Sequence, residues 1–238
     1  MKHEYFPYKK DSGHSFAPGA FATFELLKKR PDLARAVYLR ENFADESGLC
    51  RLCESSGVPV FYGDGHFNRA GQKENVYALG VFEKPKPSLS PKGPHVVLDC
   101  PAEFGNLGTI IRTAAALGFF DIGVIQPAAD VFHPKTVRAS MGAIFSANIK
   151  RHPSFEGYLS EHSGMNVYLF MTDGETDLRE ITSAEAPYAL AFGNEARGLD
   201  PSLRRFGKSV RIPQGEGVDS YNLAVAFGIA AFKFAPLR

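Results

Sequence analysis

Four prolines fall within ten residues of the segment E-K-P-K-P-S-L-S-P-K-G-P, Glu83 to Pro94. A proline ring fixes φ and removes a backbone donor, so neither a helix nor an interior strand runs through such a stretch. The chain is therefore expected to fold in two parts, a small domain over residues 1–84 and a larger one over 95–238, with a proline-rich linker at 85–94. Upstream of the linker, Phe21, Phe24 and Leu27 recur at helical spacing, Ala36 to Leu39 reads as a strand and Leu49 to Cys53 as a second helix. Val58 to Tyr62 and Val76 to Phe82 complete the set as strands. This is a small α/β domain of roughly 80 residues, near the lower end of what folds alone.

Downstream, apolar β-rich runs recur at His95–Asp99, Ile122–Ile125, Val167–Met171, Tyr188–Phe192 and Ser209–Ile212, with Phe145–Ile149 a weaker sixth. Helical patterns separate most of them. Strands alternating with helices imply right-handed crossovers, hence an α/β fold around a mostly parallel sheet covered on both faces. Ligands of such sheets bind outside the carboxyl ends of the strands, so chemistry is sought in the loops that follow each strand.

Composition removes several function classes. The longest apolar run, Leu223 to Phe232, is far shorter than the roughly 20 residues that span a bilayer, and residues 1–16 carry no secretory h-region. A cytoplasmic protein without membrane contact is expected. Three cysteines argue against a disulfide framework. Cys50 and Cys53 form a C-x-x-C pair without a second pair to complete a zinc site, and beside Leu49 and Leu52 they suit the buried side of a helix. A net charge of +1 gives no global nucleic-acid signal. Basic residues cluster locally, however: eight Lys/Arg against four Asp/Glu over residues 1–40, four against none over 131–155, and five against one over 197–211. Taken alone, such runs are more often solvated faces than RNA contacts.

Three segments carry the chemistry. The first, C-P-A-E-F-G-N-L-G-T-I-I-R-T-A-A-A-L-G at 100–118, follows the strand ending at Asp99. Gly105 and Gly108 allow close backbone approach, and a helix starting near Leu107 points free N–H groups at the same spot. Arg112, set among Ile110, Ile111 and alanines, needs an anion, a backbone carbonyl or a carboxylate as partner. A dinucleotide loop is excluded because G-x-G-x-x-G is absent and no acidic residue closes the next strand; no P-loop motif occurs either. The second segment, G-N-E-A-R-G-L-D at 193–200, brackets Glu195 with glycines. The third, P-Q-G-E-G-V-D-S-Y-N at 213–222, leads into the last helix, where Ser220 or Asn222 suits the N-cap. All three loops follow strands of one parallel sheet, so they can converge on one pocket.

With these residues in view, the chain closely resembles the SpoU family of RNA 2′-O-ribose methyltransferases, within the trefoil-knot SPOUT superfamily. The family's N-x-G-x-x-x-R motif is similar to Asn106, Gly108 and Arg112; its G-x-E-x-x-G-L loop to Gly193, Glu195, Gly198 and Leu199; its I-P and S-L-N elements to Ile212, Pro213, Ser220, Tyr221 and Asn222. Tyr221 stands where the family usually has leucine. Residues 135–145, K-T-V-R-A-S-M-G-A-I-F, also look like the family. The resemblance is close over 95–238 and loose over the first 85 residues, which match the small substrate-binding domain of many members.

That resemblance implies a C-terminal trefoil knot, S-adenosylmethionine as cofactor, no metal, and a homodimer; the apolar stretch Leu223–Phe232 suits an interface helix and an ordinary core helix equally by its pattern. It implies catalytic-site roles for Asn106, Arg112, Glu195, Ser220 and Asn222. Arg112 would contact the target nucleotide; because a guanidinium keeps its proton, binding phosphate and orienting the hydroxyl suit it better than acting as base. Asn106 would hold the ribose or its phosphate, and Glu195 would fix Arg112 or the active-site loop. Cofactor contacts would come largely from the backbone at Gly193, Ile212, Tyr221 and Leu223, with Thr172 a further candidate. Lys28, Lys29 and Arg30, with Lys9 and Lys10, would meet RNA from the small domain, and Lys135 and Arg138, with Lys150 and Arg151, from the larger one. A ribosomal RNA substrate is favoured over a transfer RNA by the N-terminal extension. An α/β enzyme with another nucleotide cofactor, and an RNA-binding module of the same fold without activity, are the alternatives.

Overall fold

Backbone pairing in the computed structural model, which describes residues 7–70, 75–86, 88–217 and 219–236, forms two separate sheets. The elements before the linker are β1 (His14–Pro18), α1 (Ala20–Lys29), β2 (Ala34–Leu39), α2 (Glu46–Ser55), β3 (Val60–Tyr62), α3 (Asp64–Arg69) and β4 (Ala78–Glu83). After it come β5 (His95–Asp99), α4 (Phe104–Ala116), β6 (Asp121–Ile125), α5 (Pro134–Ala139), β7 (Asn148–His152) and α6 (Phe155–Glu161). The chain continues through β8 (Asn166–Phe170), β9 (Thr176–Asp177), β10 (Tyr188–Phe192), β11 (Lys208–Arg211) and α7 (Leu223–Phe234).

The chain divides into two units, the first comprising residues up to Lys86 together with Asp130–Ser146. Its sheet runs β1-β4-β2-β3, with β4 antiparallel to both β1 and β2, and β2 parallel to β3. Helix α1 does not bury the aromatic face that its spacing suggests: Phe21 is 54% exposed, and the buried residues are Ala22, Thr23, Leu26 and Leu27. The reason lies on β4. An added Cβ at Gly80 would come within 3.0 Å of Leu26 and 3.3 Å of Thr23, and the Gly80 N–H donates to Thr23 Oγ1 at 3.1 Å. The small face lets the helix lie close on the strand, which the bulkier phenylalanines would prevent. Strand β1, which sequence reasoning did not mark, is buried over Ser15–Pro18 and partly buried at His14. On α2, Cys53 is buried beside Leu49, and burial pushes its thiol up to about 11, which fits a core role.

Residues 130–146 join this unit through specific contacts. The Tyr8 hydroxyl donates to the Asp130 carboxylate and the Ser15 hydroxyl to the Phe132 carbonyl. Phe145 meets Phe82 edge-on at 5.0 Å. The expected strand Phe145–Ile149 is therefore displaced: Ala143–Ser146 forms a 3-10 turn and pairing starts only at β7, where the Asn148 N–H donates to Phe120 O at 2.7 Å.

The second unit carries a seven-stranded sheet in the order β7-β6-β5-β10-β8-β11-β9, and every pairing in it is parallel. The strand order reverses between β5 and β10, so the loops after these two strands open on the crevice where such sheets bind ligands. Buried side chains from Val97, Leu169, Ala189 and Ala191 fill the core below. Helix α4 packs on α7, and α7 on β10. Backbones cross at contact distance here: an added Cβ at Gly174 would lie 2.4 Å from the Val210 carbonyl carbon.

Candidate active site

Helix α4 starts at Phe104, three residues before the expected Leu107, so Asn106 lies in its first turn and Gly105 and Gly108 are helical. Glu103 occupies the N-cap without a side-chain cap bond. The missing acceptor comes from the neighbouring loop. Glu195 accepts from the Ala102 N–H at 2.9 Å, the Glu103 N–H at 3.2 Å and the Asn106 amide at 3.0 Å. A carboxylate there satisfies backbone donors and opposes the positive end of the helix dipole.

Asn222 completes the chain of bonds. Its amide donates to Asn106 Oδ1 at 3.1 Å, while its own Oδ1 accepts from Ala224 and Val225 N–H at 2.9 and 3.4 Å and caps α7. Asn222, Asn106 and Glu195 thus join the loops after β11, β5 and β10 into one network. Partial burial pushes the Glu195 carboxyl up, but the N–H of Ala102 and the Asn106 amide outweigh it and hold the group below its ordinary value. Its stabilising contribution is therefore present above the ordinary glutamate range and lost as pH falls through the depressed value. Glu195→Ala is expected to cost about 1.5 kcal/mol, read by urea denaturation at neutral pH, and the difference from the native chain should shrink in acid. An equal cost at both pH values would remove the charge from this account.

Arg112 does not join the network. It is exposed on α4, whose buried face is Leu107, Ile110, Ile111 and Ala114, and it makes no hydrogen bond or ion pair among the described residues. Neither a backbone carbonyl nor the Glu195 carboxylate partners it among the described residues; Glu195 fixes the loop instead.

Beside the network lies a cleft of about 490 Å³. Thr172, Gly193, Ile212, Tyr221 and Leu223 all line it, as do Glu195 and Ser220. Its floor includes Phe170 and Phe192, stacked at 4.5 Å and 2°. The Tyr221 hydroxyl donates to Pro213 O at 3.1 Å, so the residue that departs from the family pattern closes its own loop. Gly193 is required sterically: an added Cβ would sit 2.0 Å from the carbonyl carbon of Gly198. Sequence reasoning missed Asn194, which bonds Gly198 through both N–H and C=O and donates its amide to Cys100 O at 2.8 Å. Cys100 itself sits at φ 55. The only signal was an asparagine between Gly193 and Glu195, a position where a tight turn is common.

The basic candidates are unequal. Lys29 pairs with Glu25 at 2.9 Å, Arg30 with Asp32 at 2.9 Å, and Lys28 lies 5.6 Å over the Phe24 ring. Lys135 and Arg138 are exposed and have no acidic partner among the described residues. Both belong to the first unit, since residues 130–146 do, and not to the larger one as their sequence position suggests. Lys150 is paired with Glu161.

The model of the SpoU rRNA Methylase family matches residues 93–232. The 23S rRNA (guanosine(2553)-2'-O)-methyltransferase RlmP of Bacillus subtilis is 31% identical over 209 residues, covering 86% of this chain and 82% of the relative. The 23S rRNA (adenosine(1067)-2'-O)-methyltransferase of Streptomyces azureus is 29% identical over 204 residues, covering 82% and 76%. The crystal structure of AdoMet-bound rRNA methyltransferase from Sinorhizobium meliloti superposes with a TM-score of 0.77 at 27% identity, covering 93% of this chain and 86% of that one. Since the matched stretch takes in the Asn106, Glu195 and Asn222 loops and more than half of all residues, the chain belongs to the SpoU rRNA methylase family.

Proposed function

We propose that this chain transfers a methyl group from S-adenosylmethionine to a ribose 2′-hydroxyl of ribosomal RNA. The observation that carries the reading is the Asn222–Asn106–Glu195 network at the edge of a cleft lined by Thr172, Gly193, Ile212, Tyr221 and Leu223. A volume near 490 Å³ suits a nucleoside-sized ligand. The strand-end backbone and the Phe170–Phe192 pair offer what adenosine and methionine moieties need, polar edges above an apolar floor. When bound, S-adenosylmethionine supplies an electrophilic methyl on a sulfonium.

The chain's own residues then position the nucleophile. Glu195 holds the first turn of α4, and with it Asn106, whose amide keeps one N–H and one lone pair beyond the bonds described for a ribose or phosphate oxygen. The Arg112 guanidinium, without a partner of its own among the described residues, receives a phosphate as a bidentate fork and orients the 2′-hydroxyl. Ser220 and Asn222 close the polar side by hydrogen bonding. Lys135 and Arg138, aided by Lys28, Lys29 and Arg30, track the RNA backbone from the first unit.

Ribosomal RNA is favoured because relatives with that substrate in their names match the first unit as well as the second. The structure described as giving insights into 2-OH methylation of C/U34 on tRNA is 36% identical but covers only 60% of this chain. No helix among the described residues is long and apolar enough to cross a membrane; a ribosomal RNA substrate like that named for the Bacillus subtilis relative supports a cytoplasmic location. A homodimer is supported by α7, where Val225, Ile229 and Phe232 are 51%, 40% and 77% exposed at i, i+4 and i+7. Phe232→Glu should yield monomers by sedimentation, and a variant that still dimerises would move the interface elsewhere.

The deciding experiment is mass-spectrometric nucleoside mapping of ribosomal and transfer RNA from cells with and without the gene. Loss of one 2′-O-methyl in ribosomal RNA is expected. An unchanged ribosomal pool would overturn the substrate, and no change in either pool would favour the inactive RNA-binding module.

A further inference from the structure

Three histidines, from β5, from β7 and from just past α6, meet on the β5–β6–β7 side of the seven-stranded sheet, and none of them lines the cleft. His95 on β5 has both ring nitrogens engaged, Nδ1 with the Tyr158 hydroxyl at 2.8 Å and Nε2 with Ser90 O at 2.6 Å. His152, at the end of β7, and His162, just past α6, are different. All four of their ring nitrogens are buried, and none has a hydrogen-bond partner. His152 is 1% exposed, so water does not reach it from outside. Buried polar atoms are almost always satisfied, and two whole imidazoles left bare in one cluster call for a missing partner.

Glu161 supplies the third group. Its Oε1 lies 3.6 Å from His152 Nδ1, while the other oxygen pairs with the Lys150 ammonium. One donor atom from each of His152, Glu161 and His162 lies within 4.8 Å of the others. Two ligands about 2.1 Å from a tetrahedral ion are roughly 3.4 Å apart, so a small rotation of the half-exposed Glu161 side chain brings the set into range.

We propose that His152, Glu161 and His162 bind one divalent transition-metal ion of the zinc type, with water as a fourth ligand from the exposed side of Glu161. Imidazole nitrogen with one carboxylate oxygen is a donor set for such an ion and not for magnesium or calcium. The ion fastens the end of β7 to the end of α6. Its role is structural, since the site lies apart from the cleft.

The test uses the full chain without an affinity tag. Purified protein is loaded with cobalt(II) as a spectroscopic substitute for zinc, dialysed, and assayed for metal content and visible absorption, alongside His162→Gln and Glu161→Gln. Both changed residues are partly exposed, and circular dichroism checks that the variants fold. Expected are one ion per native chain, tetrahedral d–d bands without thiolate charge transfer, at least tenfold weaker binding in each variant, and a zinc-dependent rise in melting temperature confined to the native chain. No retained metal, equal uptake by the variants, or a thiolate band pointing to Cys50 and Cys53 would each overturn the proposal.

Discussion

Arg112→Ala is expected to lower the turnover of ribose methylation by about 10²–10³-fold, the usual effect of removing one donor that positions or stabilises a reacting group, while folding and cofactor affinity stay unchanged. The separation follows from where the residue sits. Arg112 is exposed and bonded to nothing else among the described residues, so its removal leaves no buried group unpaired. Stability should move by no more than about 0.5 kcal/mol. Arg112→Lys tests the chemistry more sharply: charge survives but the planar fork does not, so turnover should still fall at least about tenfold. Methyl transfer from labelled cofactor, with kcat and KM resolved, reads both variants. Near-native kcat in the lysine variant would show that bidentate binding is unnecessary.

Gly193→Ala should produce the largest loss of stability, about 4 kcal/mol or more, with cofactor binding lost alongside. The added methyl would lie 2.0 Å from the Gly198 carbonyl carbon, 2.2 Å from the Leu199 nitrogen and 2.3 Å from the Gly198 oxygen. All three are backbone atoms of the same loop and cannot rotate away. Gly105→Ala is the control, because nothing lies within 4 Å of its added Cβ and alanine favours the helix it sits in. Thermal melting with and without S-adenosylmethionine compares them. A Gly193→Ala chain melting within a few degrees of the native one would contradict the close crossing of these two backbone segments.

Local pattern carried the architecture of the second unit a long way. Runs such as Val96–Leu98 and Ala189–Ala191 are apolar at every position, as strands buried on both faces require, and their alternation with helices leaves a parallel sheet as the economical solution. The loops after β5, β10 and β11 were legible for a related reason: glycines and polar residues following such strands have little local purpose, so they mark where a ligand approaches. The resemblance then put roles on Asn106, Glu195 and Asn222 that spacing alone could not separate from capping.

Other features depended on which distant residues meet. Phe21 is exposed because Gly80, on a strand far along the chain, favours the small face of α1. Residues 130–146 sit in a stretch that reads as part of the larger unit, yet Tyr8, Ser15 and Phe82 hold them in the first. Glu195 had several candidate partners in sequence, and only the placement of β10 beside β5 set it on the first turn of α4 rather than on Arg112.

What the sequence determined by itself, then, was periodicity and chemistry: most strands of the second unit, which loops carry the candidate functional groups, and which family the loops resemble. Tertiary structure alone decided the pairings: the order β7-β6-β5-β10-β8-β11-β9, the join of Asn222 to Asn106 and Glu195, and the meeting of His152 with His162. The physical reason is that burial and backbone geometry repeat over a few residues and leave a local imprint. A hydrogen bond or metal site between residues many positions apart leaves none until the chain brings its ends together.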